Sequence, residues 1–348
     1  MPKTPARFKG PRLWLWAAGA LLVLGFPLLV SDYWVDVMNF CGIYMLLGLS
    51  LMLIVGYAGL FNLGHAAFYA VGAYVTAILS TRFGVPSLLL LPAAGLAAGL
   101  VGYLIARPII HLRGDYLCVV TIGFGEIMRI ALVNNPWGLT GGVNGIMGIP
   151  RPSLGFFAIH TVQQYYYFIL IFIVLYVLVL RRLENSRIGR AWTCIREDDT
   201  AAEAMGIDTA SLKLLAFVVG ATGAGIAGNI YAAKMTVIAP GSFNFWESCV
   251  MFSIVVLGGT GSIPGVLAAA LGMTALPELF RGFLRARMLV FGLAMVLMMI
   301  FRPQGLWPGA RWRRAPGAPG GGGGPAVAPG APGGGGGPAV APGGESGC

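Results

Sequence analysis

Ten apolar runs, each ended by polar or basic residues, dominate this chain, and very few folds accept such a pattern. In order they are Leu13–Val30, Val37–Val55, Gly64–Ser80, Ser87–Ile110, Tyr116–Val133, Gln164–Leu180, Leu212–Lys234, Glu247–Leu257, Gly265–Leu279 and Met288–Phe301. A hydrocarbon core about 30 Å thick takes roughly 20 apolar residues to cross as a helix, and offers no water to an unpaired backbone group. The runs therefore predict an all-α, polytopic helical membrane protein of about ten transmembrane segments, or eight if the shortest runs do not cross. Composition agrees, with 57% hydrophobic and only 10% charged residues, against about 25% charged in ordinary soluble domains. The first run follows Lys3, Arg7, Lys9 and Arg12 as a signal peptide would. Its 18 residues, with no small-residue cleavage site before Ser31-Asp32-Tyr33, predict a retained span instead.

Sidedness follows from the basic residues. With residues 1–12 inside, the cytoplasmic segments hold Lys3, Arg7, Lys9, Arg12, Arg107, Arg113, Arg181, Arg182, Arg187, Arg190, Arg196, Lys213, Arg302, Arg311, Arg313 and Arg314, which is 16 of the 23 Lys and Arg. Cytoplasmic loops carry such an excess. Both termini are thereby predicted inside, the polar loop Asn134 to Thr161 outside, and the loop 181–213 inside. Arg281, Arg285 and Arg287 fall outside in this scheme and run against it. The net charge of +10 is read as charge flanking spans at a lipid bilayer, and no nucleic-acid partner is expected.

Asn185 to Phe217 carries nine charged residues in an otherwise oily chain. Thr200 and Glu203 stand at the Thr-x-x-Glu spacing of a capping box, which predicts a helix start at Thr200. Ala201, Ala202, Ala204 and Met205 suit a helix body, and Gly206 suits the left-handed position that ends one. A helix of one to two turns is expected, with Asp208 or Thr209 capping the next. Such an element, with Ala202 on its small-residue face, has the shape needed to dock into a groove on a soluble partner.

Within the spans, Glu126 and Arg129 lie three residues apart, at helix-neighbour spacing. A carboxylate at mid-helix costs about 2.5–3.5 kcal/mol in a membrane, so it must be paired or wet. The two residues read either as a pathway-lining pair for a zwitterion or as a structural ion pair bracing helices. Glu247 and Glu278, near span ends, are expected to be solvated. Glu247–Leu257 and Gly265–Leu279 are short and flank G-G-T-G-S-I-P-G, so they read as half-spans, tolerated only when sheltered by protein. Gly258, Gly259, Gly261 and Gly265 there, and Gly56, Gly59, Gly64 and Gly72 earlier, permit close helix approach and local rearrangement.

The chain carries no G-x-x-x-x-G-K-[ST] phosphate loop around Lys3, Lys9, Lys213 or Lys234, and no G-x-S-x-G. His65, His111 and His160 lack acidic partners at metal-ligand spacing. Cys41, Cys118, Cys194, Cys249 and Cys348 are scattered, implying neither a disulfide framework nor a metal site. No catalytic residue and no cofactor of the chain's own are expected. From Ala315 onward, Gly317 to Pro329 repeats identically as Gly330 to Pro342. So Gly- and Pro-rich a repeat cannot bury a core, and residues 315–348 read as a disordered tail after a basic flank at 302–314.

Gly56 to Tyr74, G-Y-A-G-L-F-N-L-G-H-A-A-F-Y-A-V-G-A-Y, closely resembles the glycine-rich segment of branched-chain amino acid ABC transporter permeases of the LivM type. Leu112 to Ile130, Leu139 to Pro152, Asn185 to Phe217 and Val255 to Gly265 resemble further segments of that family in the same order, so the likeness spans residues 35 to 305. It implies a permease membrane domain at 13–301 in a bacterial inner membrane. The implied partners are a LivH-type second permease, two cytosolic ATPases holding ATP and Mg²⁺, and an extracytoplasmic binding protein that delivers leucine, isoleucine or valine. The E-A-A-x-x-x-G pattern of ABC permeases is matched by Thr200-Ala201-Ala202-x-x-x-Gly206, with Thr where Glu is usual, which implies ATPase coupling by Thr200, Ala201, Ala202, Glu203 and Gly206. A permease for urea or short amides resembles the same subunit type. An ion-coupled secondary transporter would show paired broken helices in inverted halves, and Gly56–Gly64 against Gly258–Gly265 fits that only weakly. The distribution of basic residues predicts that a topology reporter fused after Arg314 registers as cytoplasmic and one inserted between Asn134 and Thr161 as extracytoplasmic; reversed signals would refute the scheme.

Overall fold

The computed structural model describes residues 30–279, except 113, 155, 156 and 160, together with 24–27, 292, 296, 306 and 307. Most of the first and last expected spans, the N-terminal segment, nearly all of the 302–314 flank, His160, the three arginines at 281, 285 and 287, and the repeated tail lie outside the described residues. Among the described residues, six helices are long and apolar enough to cross a membrane. They are α1 (Asp32–Met52, continued by a π-helical turn at Leu53–Tyr57), α2 (His65–Phe83), α3 (Leu91–Ile109), α4 (Asp115–Val133), α5 (Val162–Asn185) and α8 (Thr209–Met235). Two short helices, α6 (Arg187–Glu197) and α7 (Asp199–Ala204), connect α5 to α8. The expected half-spans are α9 (Phe245–Gly258) and α10 (Ile263–Leu279). The eight apolar runs that lie among the described residues all form helices.

Local chemistry sets the helix ends. Thr161 opens α5 with a capping box, its hydroxyl accepting from Gln164 N and the Gln164 side chain accepting from Thr161 N. Pro92 occupies the first turn of α3, where a missing N–H removes no hydrogen bond.

α8 is the axis of the bundle because one stripe of it carries almost no side chains. Ala216, Ala221, Ala224, Ala227 and Ala232 are fully buried on it. A Cβ added at Gly225 would meet the Ala94 carbonyl and the Ala98 side chain of α3, and one at Gly228 would meet the Tyr69 carbonyl of α2; Gly72 of α2 lies against Gly225 itself. Small residues facing one another let membrane helices approach until their backbones touch, which compensates for the weak hydrophobic drive between helices in lipid. A buried polar link crosses the same seam, where the Asn229 amide donates to Thr76 Oγ1 at 2.8 Å and to Ser87 O at 2.9 Å.

Two helix breaks lie within this bundle. After the π turn at the end of α1, residues 58–64 run non-helically between α4 and α9 before α2 begins. Leu63 N donates to Thr121 Oγ1 at 3.2 Å, Gly64 N to Asn62 Oδ1 at 2.9 Å and Ala66 N to Ser248 Oγ at 3.0 Å, so side chains take over the pairing that a helix would supply. The second break is the turn between α9 and α10, where Gly259 and Gly261 take left-handed φ values of 96° and 92°. At the opposite end of the bundle, residues 146–147 pair antiparallel with 237–238, fastening the long polar loop to the segment after α8.

The seam makes Gly225→Leu and Gly228→Leu overpacked, with an expected loss of about 1–3 kcal/mol each. Gly272 has nothing within 4 Å of an added Cβ, so Gly272→Ala should leave stability unchanged or raised. Thermal unfolding of the purified protein in detergent checks this, and equal melting of all three variants would contradict the packing account.

Candidate functional site

Residues 186 to 208 form a small helical platform at the end of the bundle shared by the two breaks. Ser186 caps α6 by accepting from Gly189 N at 3.2 Å. Ile188, Trp192 and Ile195 then fall on one face, and Trp192 is fully buried with its Nε1 donating to Leu212 O at 2.8 Å. Asp198 ends α6 and begins α7, its Oδ1 accepting from Thr200 N at 2.9 Å and Ala201 N at 3.0 Å. The two helices therefore share a residue and meet with no linker between them.

The expected helix of one to two turns is present as α7, but its capping box is not at Thr200. Thr200 is the second residue of the helix, and Asp198 supplies the cap because α6 leaves it in an extended conformation. Glu203 instead accepts from Thr209 Oγ1 at 2.7 Å, tying α7 to the first turn of α8. At the other end, Gly206 has φ 80°. Gly206 N donates to Glu203 O at 2.9 Å and Ile207 N to Ala202 O at 3.1 Å, the paired bonds of a Schellman stop. Asp208 then caps α8 through Ser211 N at 3.1 Å. The Ser211 hydroxyl and N–H hold the Asp208 carboxylate below its ordinary value, so this cap stabilises above the carboxylate range and is lost as pH falls through it.

A second correction concerns which face is free. Ala202 is only 3% exposed and packs inward, whereas Ala201, Ala204 and Met205 are exposed, Met205 by 82%. These three stand at i, i+3 and i+4, one continuous stripe of a helix. Lys213 of α8 pairs with Asp199 at 2.5 Å behind that stripe and holds α7 in place. A cavity of about 240 Å³ opens beside the pair, lined among others by Gly59, Leu117, Ile195 and Arg196.

The glycines named from the sequence divide by what surrounds them. A Cβ at Gly56 would press on Gly261 N, one at Gly64 on the Thr121 carbonyl, and one at Gly258 or Gly265 on the facing break residues, so these four are required by close backbone approach. Gly59 is required by its φ of 71°.

Glu126 and Arg129 form their ion pair within α4 itself rather than between helices. Arg129 Nε donates to Glu126 Oε1 at 2.9 Å and Oε2 at 3.1 Å, and the side chains stay 31% and 42% exposed for Arg129 and Glu126. Only Leu117, Thr121 and Leu132 of this helix are buried. Glu247 and Glu278 are not simply solvated: Glu247 accepts from the Tyr44 hydroxyl at 2.8 Å, and Glu278 from the Tyr33 hydroxyl.

Residues 33–301 match the family of permease components of branched-chain amino acid transport systems. The chain is 43% identical over 317 residues to the high-affinity branched-chain amino acid transport permease LivM of Escherichia coli K12, covering 84% of this chain and 74% of that protein. The corresponding LivM of Salmonella typhimurium is 42% identical with the same coverage. This chain belongs to the branched-chain amino acid transport permease family. The LivH permease of Salmonella typhimurium is similar at a greater distance, 27% identical over 289 residues, covering 76% of this chain and 90% of that one. No solved structure matches the permease.

In the permease, Arg196 is the long-range link that spacing alone did not single out. It entered the sequence reading only as one of the cytoplasmic charges, although its side chain reaches Gly56 and Thr260, 140 and 64 residues away. The helix α6 was legible in principle from the 4- and 7-residue spacing of Ile188, Trp192 and Ile195.

Gly206 offers a test of the platform. A β-branched residue in its left-handed conformation costs about 1–2 kcal/mol, while Asn visits that region readily. Open space surrounds the position, so the penalty is purely one of backbone. Gly206→Val should speed hydrogen exchange of amides 199–208 roughly ten-fold and Gly206→Asn should leave it near wild type; matching rates in both would refute the Schellman stop.

Proposed function

We propose that this permease is one of two unlike membrane subunits of an ATP-driven importer for leucine, isoleucine and valine, and that α7 is the element by which ATPase subunits drive it. The observation that carries the reading is the free stripe Ala201, Ala204 and Met205 on a helix fixed at both ends, by Asp198 and by Gly206. A methionine 82% exposed on a charge-rich loop is a poor solvent surface and a good knob for an apolar groove. ATP and Mg²⁺ belong to the ATPases, and this chain is a transport subunit.

The platform faces the cytoplasm with both termini of the chain, which agrees with the basic residues Arg181, Arg182, Arg187 and Arg190 beside it. Leu306, just beyond the last apolar run, donates its N–H to Leu257 O at 2.8 Å, close to the α9–α10 turn at this same end. The loop 134–159 then faces the extracytoplasmic binding protein, presenting Trp137 at 89% exposure beside Val143 and Met147.

The LivH-type permease covers the bare side of α4. A mid-span ion pair left half-exposed would be costly against lipid tails, so Glu126 and Arg129 face protein or a wet path. A partner with the same fold meets this chain about a pseudo-two-fold axis, which puts the pair beside the route taken by a zwitterionic substrate. Both helix breaks lie at one end of the bundle, an arrangement that inverted repeats of a secondary transporter do not produce.

Met205→Asp should remove about 2 kcal/mol of apolar contact and weaken ATPase association about thirty-fold, with insertion and pairing to the second permease unchanged. Ala202→Asp should instead unfold the platform, since Ala202 is packed inward. Pull-down of the ATPases with labelled leucine uptake decides the matter; full ATPase retention in Met205→Asp would refute docking through α7.

A further inference from the structure

Besides its links to α8, the platform reaches the membrane bundle through one side chain at the point where both helix breaks meet. Arg196, the penultimate residue of α6, donates through Nη1 to the Gly56 carbonyl at 2.5 Å and through Nη2 to Thr260 Oγ1 at 3.0 Å. Gly56 lies in the π turn that ends α1, and Thr260 lies two residues beyond the end of α9. Helix C-termini carry unpaired carbonyls and a partial negative charge, so a guanidinium placed between two of them is held by charge as well as by hydrogen bonds. Both acceptors are neutral oxygens, and the fixed fork of Arg can serve two at once where a Lys ammonium on a flexible stem cannot hold the same geometry.

The surroundings are cut to fit this side chain. A Cβ at Gly59 would come within 3.1 Å of Arg196 Cγ, and one at Gly261 within 3.7 Å of Nη1. A Cβ at Gly56 would lie 3.0 Å from Gly261 N, so the two breaks touch each other directly beneath the guanidinium. π-helical turns inside longer helices recur at functional positions, and glycine-rich turns are where a packed bundle can change backbone angles without breaking side-chain packing. Because Asp198 both ends α6 and caps α7, and Arg196 lies only two residues before it, a displacement of α7 is passed to Arg196 over a very short stretch of chain.

We propose that Arg196 is the positioning residue that carries movement of α7 into the two helix breaks, so that the end of α1 and the α9–α10 turn move together when the ATPases move. The proposal rests on the reading of α7 as the ATPase-driven element. It goes further by naming the route from that element to the membrane bundle and the two backbone segments that respond. Thr260 is the second acceptor of the clamp, and Gly59 and Gly261 leave the room it needs.

The test uses the whole importer reconstituted in liposomes with its second permease, both ATPases and binding protein. Leucine uptake and ATP hydrolysis are measured together for Arg196→Gln, Arg196→Lys and Thr260→Val. Arg196→Gln should retain ATPase association and hydrolyse ATP within about two-fold of wild type, while uptake per ATP falls at least ten-fold. Arg196→Lys, which can still serve the Gly56 carbonyl, should recover part of that ratio, and Thr260→Val, lacking one acceptor, should lose about two- to three-fold. An unchanged ratio in Arg196→Gln, or uptake and hydrolysis falling in step, overturns the proposal, since a merely structural residue would lower both alike. Should Arg196→Gln fail to assemble, a wild-type ratio in both Arg196→Lys and Thr260→Val overturns it equally. Failure of the docking reading looks different, because Met205→Asp would then keep its ATPases.

Discussion

A backbone that leaves its helix within a packed helical bundle must find new partners for its amides, and the arrangement of this bundle depends on how that problem is met at residues 58–64 and 259–262. At the first place the solution is chemical. The hydroxyls of Thr121 and Ser248 and the amide of Asn62 accept from three successive stretches of free backbone, and they come from three different parts of the chain. At the second place the solution is geometric, a tight glycine turn pressed against the first break. Each shelters the other, which is why α1, α4 and α9 gather at this end although their sequences show no mutual pattern.

On the proposed reading, the same two segments give the rigid platform its purpose. Breaks that are fully paired are stable, yet their glycines leave backbone angles free to change at little cost compared with repacking a core. A floppy connection would dissipate any push from outside before it reached them. The structure avoids this by sharing Asp198 between two helices, burying Trp192 against α8 and pairing Asp199 with Lys213. The Asp199–Lys213 pair, partly screened from solvent, ties the start of α7 to α8.

How much of this was legible in the sequence depends on how far apart the interacting residues lie. Apolar runs are local, and eight of them became helices with ends displaced by only a few residues. The stop at Gly206 and the cap at Asp208 are also local, and both were readable. The start of α7 was misplaced because Thr200 and Asp198 are both competent caps, and only the extended backbone left by α6 decides between them. The free face of α7 could not be read from a six-residue helix, since which side packs inward depends on α8. The Tyr44–Glu247 and Tyr33–Glu278 contacts span more than 200 residues, beyond any spacing rule, and the reach of Arg196 is hidden for the same reason. The proposed place of the second permease rests on α4, where a half-covered ion pair stands in a helix with three buried residues.

The small-residue stripe of α8 has a consequence for motion. Alanine and glycine have no side-chain rotamers to freeze, so along this stripe α2, α3 and α8 associate with little loss of side-chain entropy. By the same token they hold no alternative rotamers into which the seam could repack if one helix shifted. An interface of interlocked leucines can yield by exchanging side-chain conformations, whereas one of touching backbones can only stay closed or slide as a rigid plane. The three helices are therefore a single mechanical block, and whatever opens and closes in this permease must do so at its edges.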